Sequence, residues 1–260
     1  MKLYRIYAMI LRHFYIFKRS PDRMSEAFFW PLVDILVWGV TSLYFANASH
    51  TPHIVWFILS GIIFWTVIYR GQQEISMNLL EELWNKNLVN IFTTPLTFWE
   101  WMVTIVAVSL IKTCLSFLFI SFLSFLLYKM NVFLYGFYLI PSLFLLILFA
   151  WSVGFFVVGL ILRYSTKVQT IAWSLVAAFS PFFGMYYSLS ILPIWAQKIA
   201  LLMPPSYIFE GMREIIQKGS MDSQKLIISF GISLVYLIAS IIYLKLSFNK
   251  VLEKGLVKVY

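Results

Sequence analysis

Residues 132–162 run for thirty-one positions without one charged side chain. A bilayer core about 30 Å thick is crossed by roughly 20 apolar residues of helix, so a run of this length has few other fates. Runs with at most one charge also occupy about 27–49, 54–69, 101–127, 168–192 and 226–244, leaving little chain for a soluble domain. Composition agrees: 61% of the residues are hydrophobic and 12% charged, where a soluble domain is about half apolar and one quarter charged. The alternating pattern of an outer-membrane barrel is absent, so the spans are helical. The expectation is an all-α integral membrane protein with six transmembrane helices, forming a single domain over 1–260. The first run follows a stretch of about 25 residues and is too long and too late for a cleaved signal, so it is expected to remain as the first span.

A net charge of +9 could suggest nucleic acid, but in a chain of spans the informative quantity is which side each Lys and Arg falls on. With the N-terminus inside, the inner side collects Lys2, Arg5, Arg12, Lys18, Arg19 and Arg23, then Arg70 and Lys86, Arg163 and Lys167, and Lys245, Lys250, Lys254 and Lys258. The outer side holds only Lys129, Lys198, Arg213, Lys218 and Lys225. Both termini are therefore expected in the cytoplasm of a bacterial inner-membrane protein, with the lipid bilayer and no nucleic acid as partner.

Three pieces are not spans. Over 1–25, Leu3, Ile6, Tyr7, Ile10, Phe14 and Phe17 recur at helical spacing with Lys2, Arg5, Arg12 and Lys18 largely off the stripe, which predicts a helix lying in the inner headgroup layer. In the loop at 72–95, Leu79, Leu80, Leu83, Trp84, Leu88 and Ile91 share a face and Glu81, Glu82 and Lys86 lie elsewhere. That amphipathic helix either floats at the membrane or docks a partner, and it ends before Pro95. At 192–220, "ILPIWAQKIALLM" and "PPSYIFEGMREIIQKG" read as two outer helices, the second with Ser206 as its N-cap and a Glu214–Lys218 ion pair at i, i+4. Its stripe of Ile208, Phe209, Met212, Ile215 and Ile216 is expected to dip into the outer leaflet while its charges stay at the surface.

This layout resembles the permease subunit of ABC type-2 exporters. The resemblance is carried by "LPIWAQKIALLMPPSYIFEGMR" at 192–213, with its Leu-Pro, Trp, Pro and final Arg, and by "TTPLTFWEW" at 93–101, with its Pro and Trp-Glu. It implies six helices, a cytoplasmic coupling helix after the second, and outer re-entrant helices before the last, where Pro205, Phe209, Glu210 and Arg213 fall. It further implies a dimer, expected to be a homodimer with a second permease copy, bound to two copies of a separate ABC ATPase subunit. Leu79, Leu80, Leu83, Trp84 and Leu88 would then couple to the ATPase, and Glu100 would cap or orient the end of the coupling helix. No G-x-x-x-x-G-K-[ST] occurs, so ATP and its Mg²⁺ are expected on the partner and the chain is not itself an enzyme. The implied activity is ATP-driven export of an apolar or amphipathic molecule: a drug, a lipid or a lipid-linked glycan.

Two ionisable residues lie inside expected spans, Asp34 and Lys112. Such residues are costly unless paired or hydrated, and the two could pair with one another, as a structural ion pair or as a functional site. They also support a rival reading, an ion-coupled secondary transporter using Asp34, Lys112 and Glu100, although the internal repeats usual in such folds are not found. Cys114 reads as a packing residue and His50 with His53 as part of a solvated loop, while Asn47-Ala48-Ser49 abuts the membrane too closely for glycosylation. Pro141 and the Ser180-Pro181 pair with Gly184 interrupt the fourth and fifth runs, and Ala150 with Gly154 offers a small-residue face for helix contact. No nucleophile with a base and no H-E-x-x-H is present.

Overall fold

The computed structural model describes residues 1–51 and 53–254. Lys258, counted above to the inner side, lies outside them. Every regular element among the described residues is helical: α1 (Leu3–Arg19), α2 (Pro21–Ser49), α3 (His53–Trp84), α4 (Leu88–Thr93), α5 (Phe98–Tyr128), α6 (Leu139–Tyr164), α7 (Ile171–Phe179), α8 (Ile194–Ala200), α9 (Pro204–Lys218) and α10 (Ser223–Lys254). Five helical stretches are long and apolar enough to cross a membrane, on α2, α3, α5, α6 and α10.

The expected second span and the amphipathic helix after it are one continuous helix, α3, of 32 residues. Its second half, "QQEISMNLLEELW", contains no Gly or Pro and is rich in Gln, Glu, Leu and Met, all good helix formers, so nothing stops the helix at the membrane boundary. It stops near Asn85, where the chain turns through Lys86 at φ +52. The apolar face offered to a partner is covered within the chain: Leu79, Leu80 and Leu88 are fully buried and Leu83 nearly so, packed with Trp101, Ile105, Val158 and Ile161. Arg70, counted above to the inner side, is likewise buried within α3.

α3 is the axis of the bundle, with α2, α5, α6 and α7 packed around it. Between lipid-soluble helices hydrophobic burial supplies little driving force, so close backbone approach matters more. The Ala150 and Gly154 face meets α3, since a Cβ built on Gly71 would lie 2.9 Å from Ala150 Cβ and one on Gly154 2.9 Å from Ile75 Cβ. Buried hydroxyls such as Thr66, Thr104 and Ser152 donate back to carbonyls of their own helices at 2.9, 2.9 and 2.6 Å, which removes the cost of a bare polar group.

The expected fifth span, 168–192, is the largest departure from a regular helix. α7 has nine residues and ends at Ser180 and Pro181, after which the chain turns through Gly184 at φ +69. Along α3 the segment makes successive contacts. Gln169 accepts from Trp84 Nε1 at 3.1 Å, the Ala172 carbonyl accepts from Gln72 at 3.0 Å, Phe183 lies 6.3 Å from the Trp65 ring, and Met185 sits against Gly61. From Trp84 back to Gly61 is about 34 Å of helix at 1.5 Å per residue. Pro141, by contrast, interrupts nothing: it falls in the first turn of α6, where a backbone N–H has no partner inside the helix.

The bundle thus has two unlike ends. One carries α1, α4 and the 85–97 turn; the other carries Val132–Tyr138, α8 and α9. α2 and α10 line the outside, exposing Phe29, Leu36, Val40 and Tyr44 on one and Ile227, Val235, Ile238 and Ile242 on the other.

Candidate functional site

At the α1 end a set of ion pairs ties three helices together. Arg12 grips Glu82 with both guanidinium nitrogens at 2.5 and 3.0 Å, and Asn87 Nδ2 donates to the same carboxylate at 2.7 Å. Arg23 meets Glu81 at 2.9 Å. Charge-assisted forks of this kind are the strong end of the hydrogen-bond range. α1 buries only Ile6 and His13 and exposes Leu3, Tyr7 and Phe14. Burial next to Arg12 pushes the His13 imidazole down to about 4, so it sits neutral under the helix at ordinary pH.

Glu100 is buried at the junction of α1 with α5. It forms a capping box with Thr97, whose backbone N–H donates to Glu100 at 2.9 Å while the Thr97 hydroxyl accepts from the Glu100 N–H at 3.3 Å. Its carboxylate also accepts from the Lys2 backbone N–H at 2.6 Å and lies 3.5 Å from Arg5, which donates in addition to the Pro95 carbonyl. Glu100 therefore caps the start of α5. The Thr-x-x-Glu spacing at 97–100 is itself a capping-box signature, and it is the signal in the sequence that points to this role.

Lys112 does not pair with Asp34. Its ammonium is 2.6 Å from Glu74 on α3 and 5.3 Å from the Phe17 ring, because α5 lies beside α3 and α1 at that height. Asp34 faces elsewhere, into a cavity of about 450 Å³ between α2, α3 and α7. Pro31 lines that space: lacking an N–H, it leaves the Ala27 carbonyl without its helical partner, and the Ser116 hydroxyl of α5 supplies the replacement at 3.3 Å. Arg70 donates to the Glu26 carbonyl and, at 3.2 Å, to Gln73, whose Nε2 donates to the Glu26 carboxylate at 2.7 Å. Rings of Trp30, Trp65, Tyr69 and Trp173 complete the wall. The aromatic walls and the polar contributions of Glu26 and Gln73 were not legible in the sequence, since α2, α3 and α7 meet only in the fold.

At the other end, Glu210 and Arg213 turn inward instead of standing at the surface. They lie 2.8 Å apart, and Arg213 donates to the carbonyls of Gly184 and Tyr187 at 2.6 and 2.8 Å. Glu210 accepts from the Leu189 N–H at 2.7 Å. The pair thus satisfies the irregular backbone left by the break after α7. Phe209 is buried in the core and Pro205 is buried in the first turn of α9. Ser206 is not the N-cap, since α9 begins at Pro204 and the Ser206 hydroxyl donates to Ala200 and Met203 carbonyls at 2.6 and 2.7 Å. Glu214 pairs with Lys225 on α10 at 2.8 Å instead of Lys218, and that ammonium holds its carboxyl below the usual range.

The described residues thus form a helical bundle with several membrane-length helices, an ion-paired platform at one end and an internal cavity. The family model for ABC-2 type transporters matches residues 4–216, from the start of α1 almost to the end of α9, and the chain belongs to that family. No curated protein matches the chain.

Proposed function

We propose that the chain is the membrane subunit of an ATP-driven exporter, working as a homodimer with two separate ATPase subunits and moving an apolar or amphipathic molecule out of the cytoplasm. The observation that carries this reading is the α1-end platform. With the leucines buried, its exposed surface is the tip of the α3–α5 connection: Asn85, Lys86, Asn90, Thr93, Thr94 and Pro95, with Trp84 half exposed and stacked on Trp173. The docking surface for the ATPase is this polar tip. α3 joins it to the Gly61 region in one helix, so a push at the tip is delivered to the cavity without an intervening hinge. Coupling then requires that the cavity hold its cargo differently in its two access states. Of the three residues the ion-coupled alternative needs, Lys112 is engaged with Glu74 and Glu100 with three backbone and side-chain donors, which leaves Asp34 alone to serve it.

In this reading α7 and the turn after it form the sixth crossing, held by contacts down α3, with the α1 end and both termini in the cytoplasm. Purification in mild detergent from native membranes tests the partner. Lys86→Glu with Asn90→Arg changes only exposed tip residues, so a P-loop ATPase should co-purify with the wild-type protein and be lost from this variant. Trp195→Ala, at the opposite end, should retain it. Failure of any ATPase to accompany the folded wild-type protein would overturn the proposal.

A further inference from the structure

The cavity beside Pro31 contains an imbalance that the ion-pair networks elsewhere do not. Two carboxylates, Glu26 and Asp34, share it with one guanidinium, Arg70. Arg70 and the Glu26 carboxylate are both fastened through Gln73, and Arg70 also through the Glu26 carbonyl. Asp34 receives no hydrogen bond or ion pair from any described residue, and the charge opposing it across the cavity is that same Arg70. An ionised carboxylate in a protein interior is stabilised by a partner or not retained. The remaining walls are Pro31, Thr66 and four aromatic side chains, Trp30, Trp65, Tyr69 and Trp173. Their faces are electron-rich and attract cations, most strongly for Trp and most where water is excluded.

From this we infer that the cavity is a binding site for a hydrophobic organic monocation, its charge set against Asp34 and its body against the tryptophan and tyrosine faces. The inference deepens the exporter reading by naming the class of cargo. A volume of about 450 Å³ accommodates a drug-sized molecule. An anion would meet two carboxylates, and a neutral molecule would add no counter-charge for Asp34 beyond Arg70, which Gln73 and the Glu26 carbonyl already engage. A bare divalent ion needs a full shell of oxygen ligands, and among the described residues no group of three or more His, Cys, Asp or Glu side chains stands together to supply one. Trp30 is 54% exposed and stands on the outer surface of α2, so the cavity is open beside it to a ligand arriving from the surrounding membrane.

The test is equilibrium binding of tetraphenylphosphonium and tetraphenylborate, ions of nearly the same size and opposite charge, to the purified protein in nanodiscs of phosphatidylglycerol. Tetraphenylphosphonium should bind saturably and quench tryptophan emission, with tetraphenylborate at least tenfold weaker once partition into protein-free nanodiscs is subtracted. Asp34→Asn should weaken tetraphenylphosphonium by on the order of tenfold or more, and Trp30→Leu by about three- to thirtyfold. Equal binding of the two ions, or an Asp34→Asn variant with unchanged affinity, would overturn the inference. Should Asp34→Asn not fold, the comparison of the two ions on the wild type and the exposed Trp30→Leu substitution still decide it. Adding phosphatidylcholine separates a dissolved cation from a lipid headgroup. Unchanged affinity supports the dissolved cation, and competitive loss overturns that assignment in favour of choline. No ATPase or nucleotide is present, so loss of cation binding and loss of ATPase partnership are read in separate experiments.

Discussion

At the scale of single residues, the packing of α3 turns on positions where a side chain has no room. A Cβ on Gly61 would lie 2.5 Å from the Met185 carbonyl, a backbone atom fixed by the turn that Arg213 holds. Gly61→Ala should therefore cost about 1–3 kcal/mol, the range for overpacking a filled core, and lower the thermal midpoint in detergent. Gly231, on the outer surface of α10, has nothing within 4 Å of the same atom. Gly231→Ala should leave the midpoint unchanged or raise it, by up to about 1 kcal/mol from helix propensity alone. An equal loss in both would mean that the Met185 contact is not what restricts Gly61.

At the scale of elements, the docking of α1 depends on pH through His13. His13 has a docked value of about 4, set first by burial and then by Arg12, against about 6.5 when exposed. The sign follows directly. Above pH 6.5 both docked and undocked forms are neutral and nothing is lost. As the pH falls through 6.5 towards 4 the undocked helix takes up a proton first, and the penalty on docking grows to about 3 kcal/mol, constant below pH 4. Hydrogen exchange in residues 3–19 should accelerate over that window, and His13→Phe should remove most of the acceleration. Arg12→Ala acts at neutral pH through a different route, leaving the buried Glu82 carboxylate with Asn87 as its remaining side-chain partner. Arg12 is itself 33% exposed, so its loss costs less than that of a fully buried partner, about 1–3 kcal/mol for a carboxylate left short of a donor, and exchange in α1 should rise in Arg12→Ala even at pH 7. Protection of α1 in both variants would show that its attachment rests on Glu100 and the Lys2 backbone contact.

At the scale of the whole molecule, everything depends on whether the broken segment after α6 carries the chain from one end of the bundle to the other. Lys167 precedes α7 and Lys218 ends α9, and both are exposed. In a Cys114→Ser background, single cysteines at these positions in intact cells report the two sides through a membrane-impermeant maleimide. Lys218→Cys should be labelled and Lys167→Cys protected until the cells are opened. Labelling of both or of neither before lysis would place the two ends of the segment on one side and remove the sixth crossing.

What the sequence by itself determined is what depends on local pattern and on the solvent. Long uncharged runs cannot be satisfied in water, so membrane helices at α2, α3, α5, α6 and α10 were legible from hydropathy, as was an amphipathic helix at 3–19. The family pattern at 93–101 and 192–213 identified the class. Tertiary structure decided which neighbour each face meets. The leucine stripe at 79–88 reads identically whether a partner or α5 and α6 cover it, because periodicity records that a face is apolar and not what lies on it. Lys112 chose Glu74 over Asp34, and Glu214 chose Lys225 over Lys218, because ion pairs form across the helix contacts that packing sets. The acidic aromatic cavity joins residues as far apart in the chain as Glu26 and Trp173, and only the packing of α2 and the course of α7 along α3 bring them into one wall.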